Sequence, residues 1–386
     1  MENMDILIKN ARVLDPQTGE ETLLSVGIQN KQICFIGKYD AELESEHLID
    51  IKGAYLLPGM IDFHTHLFTG GSTFGVNADL LLSSGVSMAV DMGTAGSAGY
   101  EAFRRNDILP RMMPIKSFIN LSPVGQPGSG ISEPLNRKAI KEEDIERLVK
   151  QYPEEILGIK VRISKGIVDK EGITPLDHAL ELGDRLGLPV CVHTTDPPES
   201  TPEIVKRLRP GDIYSHMYHN KGMTILDENG HVFPEFYEAR ERGVLLEVGN
   251  GRMNFSFPVA EQALSQGLYP DIISSDATAR TFAGVPDMKD LAFVMSKFWN
   301  MGMKLSQIFL SVTGVPARCL RLKNRLDGRI KIGDEADLTV LRAVKQETVF
   351  TDSEGNKRTG DRLLVPEMTL VCGRIVYFQG QSEFIF

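Results

Sequence analysis

Over residues 59–277 short apolar runs alternate with stretches whose apolar residues recur at helical spacing. That alternation marks parallel βα units, in which strands buried on both faces are joined by amphipathic helices. The runs are MIDFHTH, SMAVDMG, MPIKSFINL, ILGIKVRIS, PVCVHTT, DIYSHMY, VLLEVGN and DIISSDA, and their number predicts an α/β chain folded as a (β/α)8 barrel. Between them KEEDIERLVKQY and PLDHALELGDRLG read as helices. The second brings Leu176, Ala179, Leu180 and Leu186 towards one face and stops at Gly187, a residue suited to a C-cap. Both ends of the chain read differently. DILIKNARVLD, LLSVGIQNKQICFIG and HLIDIKGAYLLPG at the front, and ADLTVLR, EMTLVCGRIVYFQ and SEFIF at the back, are strands and turns. They predict one small sheet assembled from residues 1–57 and 331–386, beside a barrel at 58–330.

The first run breaks its own apolar pattern. On a regular strand Asp62, His64 and His66 share one face, while Phe63, Thr65 and Leu67 share the other. The other polar interruptions fall at the ends of runs in the same way: Lys160 and Arg162 in the fourth, His193 in the fifth, His216 in the sixth, Glu247 in the seventh and Asp276 in the eighth. In a barrel these ends line the active site. Four histidines at the ends of three strands, with Asp276, suit a divalent metal such as zinc, with manganese, iron or cobalt also compatible. His47, His178 and His231 lie outside the pattern, and His219, just past a strand end, is placed where it could reach a substrate.

In GIKVRIS, Ile159, Val161 and Ile163 alternate with Lys160, Arg162 and Ser164, so one face delivers cations into the barrel. A buried lysine without a counter-charge is costly and tends to lose its proton. A neutral amine can add CO2 to give a carbamate whose two oxygens bridge metal ions. The alternative is an ordinary ion pair between Lys160 and Asp276 or Asp62.

Composition narrows the class further. Hydrophobic content of 42% and charged content of 24% are those of a globular protein, and a net charge of -10 disfavours nucleic acid and anionic membranes as partners. No apolar run is long enough to span a bilayer. MENMDILIKN reads as a strand rather than a signal peptide, and the four scattered cysteines show no CxxC spacing, so a cytoplasmic protein with reduced thiols is expected.

The chain resembles the amidohydrolase superfamily, in its binuclear, carboxylated-lysine subtype. The motifs that carry the resemblance run nearly end to end: IKNARVLDPQTG, IDIKGAYLLPGMIDFHTH, GIKVRIS, CVHTT, YSHMYH, SSDA, VTGVPARCLRL and GRIKIGDEADLTVL. The resemblance implies a TIM barrel with a small β-sandwich built from both termini. It implies two divalent ions, with His64, His66 and Asp276 holding the more buried one, His193 and His216 the other, and carboxylated Lys160 bridging them together with a hydroxide. Asp276 would orient that hydroxide, take its proton and pass it to the leaving group, which amounts to hydrolysis of an amide or related C–N or ester bond.

The resemblance also bears on the substrate. Dihydroorotases carry an arginine two residues beyond the second metal histidine, and here that position is Phe68. Adenine deaminases share the PGxIDxHxH opening but differ in the ligands that follow. The chain is more similar to a group whose members look like deacetylases of N-acetyl or O-acetyl carboxylates, often labelled dihydroorotase or adenine deaminase. A small anionic acyl substrate needs a cationic grip, for which Arg162 is the leading candidate and Tyr218, His219, Asn220 and Arg280 are others; Arg162 could instead pair with Glu247. VGNGRMNF could admit substrate to the backbone, but reads more simply as a turn after a strand. The alternatives are a cyclic amidase of the dihydroorotase or dihydropyrimidinase kind, an adenine deaminase, and a non-enzymatic metal-binding scaffold of the same fold. A homo-oligomer is compatible with all of them, and nothing in the sequence marks an interface.

Overall fold

A computed structural model describes residues 4–282, 290–322 and 327–385. Seven parallel strands lie in chain order: Met60–Thr65, Val86–Gly96, Ile115–Asn120, Ile156–Arg162, Val190–His193, Ile213–Ser215 and Leu245–Glu247. Parallel bridges from Glu247 to Ile272 and from Thr65 to Ala277 close the ring, so residues 272–277 form its eighth stave. This is a (β/α)8 barrel with one irregular member. The eighth run is irregular because other bonds replace part of its ladder: the Ser275 N–H donates to Asp62, and the carbonyls of Ser274 and Ser275 accept from the turn at Asn250 and Gly251.

The helices expected from periodicity form at Glu142–Gln151 and Thr174–Leu186. The first has three acids in its first turn and Lys150 in its last, matching the helix dipole. The second buries Leu176, Ala179, Leu180 and Leu182 and ends at Gly187 in the left-handed region, with φ of 66°.

Both ends of the chain build a second, nine-stranded sheet with a core of its own that includes Ile6, Ile8, Val26, Ile28, Leu56, Val340 and Leu370. Tyr55–Pro58 joins the two ends by pairing antiparallel with Leu338–Thr351. This sheet also reaches the barrel. Leu338–Thr351 and Lys357–Val371 run as one long hairpin, and its turn at Asp352 accepts from Phe257 N–H while Ser353 N–H donates to Phe255.

The first barrel strand corrects the expected pattern of faces. Asp62 pairs with Ala89 and Thr65 with Asp91, so three steps on this strand match two on its neighbour, a β-bulge. Ile61 and Phe63 pack with Met88, Phe118, Cys191, Ile213 and Ile272. Those partners come from five other staves, and only the barrel axis is common to them. Asp62 therefore faces away from the axis, where its carboxylate accepts from the Ser275 N–H and hydroxyl and from the His64 N–H. The bulge then turns both His64 and His66 inward.

Candidate active site

His64, His66, Lys160, His193, His216 and Asp276 line one cavity of about 260 Å³ at the C-terminal ends of the strands. His64 and His66 flank the last residue of the first strand, and Lys160 sits in the fourth, in register with Cys191. His193 ends the fifth strand opposite Arg162. His216 follows the sixth strand with φ of 67°, and Asp276 precedes the closing bridge with φ of 54°. Left-handed backbone at two non-glycine residues is strained, and such strain collects at functional sites.

His66 Nε2 lies 3.2 Å and His64 Nε2 3.7 Å from Asp276 Oδ1. The donor atoms of these three residues fall within 4.8 Å of one another, a group able to hold a cation. The rings of His193 and His216 are 4.4 Å apart, and those of His64 and His216 are 5.0 Å apart. Three of the imidazoles are oriented from behind. His64 Nδ1 meets Glu247 at 3.2 Å, His66 Nδ1 meets the Thr94 hydroxyl at 2.9 Å, and His216 Nδ1 donates to the Gly249 carbonyl at 2.9 Å. Each thereby leaves Nε2 for the cavity, as backing bonds do in metal sites.

Burial pushes His64 and His193 below the ordinary imidazole range and His216 down to about 3, so their lone pairs are free of protons near neutrality. Burial works to raise Asp276, but His64, His66 and His216 hold its carboxyl well below the usual range. Its second oxygen accepts from Asn254 Nδ2 at 3.0 Å. Gly251 has to be a glycine for two reasons: φ is 46°, and a Cβ there would come within 2.2 Å of Asp276 Oδ2.

Lys160 is 1% exposed. Its Nζ donates to Cys191 Sγ at 3.5 Å, and among the described residues no carboxylate stands within 4.0 Å of it. Neither expected partner is available, because Asp62 faces Ser275 and Asp276 faces the histidines. Gly93 makes the room: a Cβ there would meet Lys160 Cβ at 2.5 Å. A buried amine without a counter-charge, three neutral imidazoles and an ionised carboxylate together form a donor set that fits divalent cations and a carbamate.

Other expectations change. Arg162 lines the cavity, but its Nη1 pairs with Glu133 at 2.9 Å and Gln126 at 3.2 Å, not with Glu247. Arg280 lines the cavity as expected. Tyr218, His219 and Asn220 do not, because the chain turns inward after the left-handed His216. The Tyr218 ring packs against Phe255 and Phe298 and its hydroxyl donates to the Leu268 carbonyl. His219 is fully buried, and Asn220 accepts from Ser353 in the long hairpin. Phe68 packs on Phe103 and offers no polar grip.

Sequence reading missed Thr94, Gln126, Glu133, Arg252 and Asn254. Only VGNGRMNF carried a signal. Its glycines make room for His216 and Asp276 rather than for substrate backbone. Glu247 meets His64 rather than Arg162, the partner that the sequence suggests.

Residues 55–360 match the amidohydrolase family. A protein named "Deacetylase Atu3266" from Agrobacterium fabrum is 33% identical over 327 residues, which span 84% of this chain and 79% of that protein. A structure titled as an adenine deaminase superimposes with a TM-score of 0.87 at 26% identity, covering 97% of this chain and 99% of its own. One titled as a dihydroorotase gives 0.84 at 29% identity, covering 97% of each. No helix among the described residues is long and apolar enough to cross a membrane.

Proposed function

Starting from the fact that the chain belongs to the amidohydrolase family, hydrolases of C–N bonds, we propose that it removes the acetyl group from a small N-acyl or O-acyl carboxylate. His64, His66 and Asp276 would hold one divalent ion, His193 and His216 the other, and carboxylated Lys160 both, with zinc the expected metal. The observation that carries this reading is Lys160 itself, buried beside the histidines with a thiol as its hydrogen-bond partner and, among the described residues, no acid within 4.0 Å. As an ammonium it is a liability there; as a carbamate it completes the donor set.

The ions would supply a water-derived nucleophile at neutral pH and polarise the scissile carbonyl. The rest falls to the chain's own groups. Asp276, whose carboxyl lies well below the usual range, accepts the proton of the attacking water and returns it to the departing nitrogen or oxygen. Asn254 holds one carboxylate oxygen so that the other faces the reacting centre. Glu247, Thr94 and the Gly249 carbonyl fix the three imidazole rings and reduce the reorganisation the reaction demands. The name carried by the Agrobacterium relative supports deacetylation, and Phe68 argues against the dihydroorotase grip.

The test uses protein prepared with zinc and bicarbonate. Metal analysis should give close to two ions per chain, and native mass spectrometry a CO2 adduct lost on Lys160→Ala. A panel of N-acetyl amino acids of both hands, acetylated hydroxy acids, hydantoins, dihydroorotate and adenine should turn over among the acetyl compounds. Turnover confined to the cyclic amides or adenine would overturn the deacetylase reading, and an unmodified Lys160 with no bound metal would overturn the centre.

A further inference from the structure

The chain carries a net charge of -10, yet its cavity wall sets Arg162, Arg252 and Arg280 against one carboxylate among the described residues, Asp276. A cation-lined cleft in an acidic protein focuses a positive field on whatever enters. The cations are not equivalent. Arg162 already faces Glu133, whose carboxylate offsets its charge. Among the described residues no acid lies within 4.0 Å of Arg252 or Arg280, so their guanidiniums are open to a ligand.

Arg252 differs from Arg280 in what it rides on. It follows Gly251, whose backbone abuts Asp276, and precedes Asn254, which donates to the same carboxylate at 3.0 Å. The turn is pinned from below as well, since Asn250 and Gly251 donate their N–H groups to Ser274 and Ser275. The group that carries the proton and the Arg252 backbone are thus parts of one rigid unit. Met253 and Phe74 also line the cavity and give it an apolar side.

We propose that Arg252, and not Arg162, binds the substrate carboxylate and sets a preference for anionic acyl compounds, with Phe74 and Met253 against the substrate's apolar part. This rests on the deacetylase reading. A guanidinium meets a carboxylate through two parallel N–H donors, so the anchor fixes orientation as well as charge. Arg162 becomes a positioning residue that ties the 122–134 segment to the fourth strand through Glu133 and Gln126.

The test compares kcat/KM for N-acetylphenylalanine, both enantiomers, with that for the corresponding carboxamide, in zinc-loaded wild-type, Arg252→Met, Arg252→Lys and Arg280→Met proteins. Equal melting midpoints check folding. Arg252→Met should lower the acid-to-amide ratio roughly 10- to 100-fold, chiefly through KM, and Arg252→Lys should restore part of it. An unchanged ratio in Arg252→Met, or a fall confined to Arg280→Met, would overturn the assignment. Calorimetric binding of phenylacetate separates this proposal from the reading beneath it. If wild type hydrolyses neither compound, the deacetylase reading has failed by itself. A phenylacetate Kd raised at least tenfold in Arg252→Met then still supports the anchor, and an equal Kd refutes it.

Discussion

The floor and the mouth of the barrel are built from the same strands to opposite standards. Below lie Ile61, Phe63, Met88, Val90, Met92, Phe118, Ile213 and Ile272, capped by Ala317 and Leu320. Above lie four histidines, a lysine and an aspartate, with left-handed backbone at His216 and Asp276. The first strand passes through both layers, and the bulge between Asp62 and Thr65 is where it changes. The floor needs volume and tolerates chemistry that keeps it, whereas the mouth needs particular atoms at particular distances. Substitutions in the two layers should therefore damage different quantities.

The largest effect is expected at Lys160. If Lys160 bridges the metals as proposed, Lys160→Ala should lower turnover by about three orders of magnitude or more, and metal content should fall with it. Short carboxylic acids that stand in for the proposed carbamate should restore part of the rate. The melting point of the metal-free protein should hold or rise, because a buried amine with no counter-charge has gone. A mutant that loses stability and keeps its turnover would place Lys160 with the floor.

Asp276→Asn comes next. The amide keeps the shape and can still bond Asn254, but it carries no proton for the leaving group, so kcat should fall roughly 10²- to 10⁴-fold. Steady-state kinetics at matched metal content would decide the role, and a near wild-type kcat would remove it. The floor answers in the other currency: Phe118→Ala deletes a ring packed edge-on against Phe63 at 5.8 Å and should cost about 3–5 kcal/mol of stability. Denaturant unfolding measures that loss. Turnover per folded, metal-loaded molecule should stay near wild type, and a collapse there would mean that the layers are not separable.

The same contrast explains what could be read in advance. Barrel strands announce themselves through apolar runs, and residues at strand ends point to one place in any barrel, so the sequence already puts His64, His66, Lys160, His193, His216 and Asp276 at one end of the barrel, where they line one cavity. Residues beyond the strand ends are legible only in part: Arg280 lines the cavity as expected. Tyr218 and His219 looked well placed by number alone, but the left-handed step at His216 sends them into the protein. Arg252 and Glu133 sit on loops, whose course follows from tertiary bonds and leaves no period in the sequence. The sequence pattern shows only the start of the long strand at Leu338–Thr351, because its middle, VKQET, is mostly polar and exposed where it leaves the sheet's core.

Asp62 is the residue at which the periodic reading failed, and it offers the finest test. Burial drives its carboxyl up to about 7, against the bonds from Ser275 and His64. Burial moves His64, His193 and His216 the other way. For the histidines, whose folded pKa values are depressed, stability is complete above about pH 6.5 and is lost as the pH falls and the unfolded chain takes up protons first. For Asp62 the sign reverses: its ionised form penalises the fold above pH 7, and the penalty is relieved as the pH falls towards the ordinary aspartate value. The two opposing slopes flatten the stability curve of the metal-free protein between pH 7 and 4. Asp62→Asn removes the relief while keeping an oxygen for the Ser275 N–H. Its stability should then fall more steeply over that window, by about 1.4 kcal/mol for each pH unit, than the wild type's. Urea titrations at pH 7, 6, 5 and 4 would measure the difference, and parallel curves would mean that Asp62 is already ionised in its outward seat and that the bulge carries no proton-linked cost.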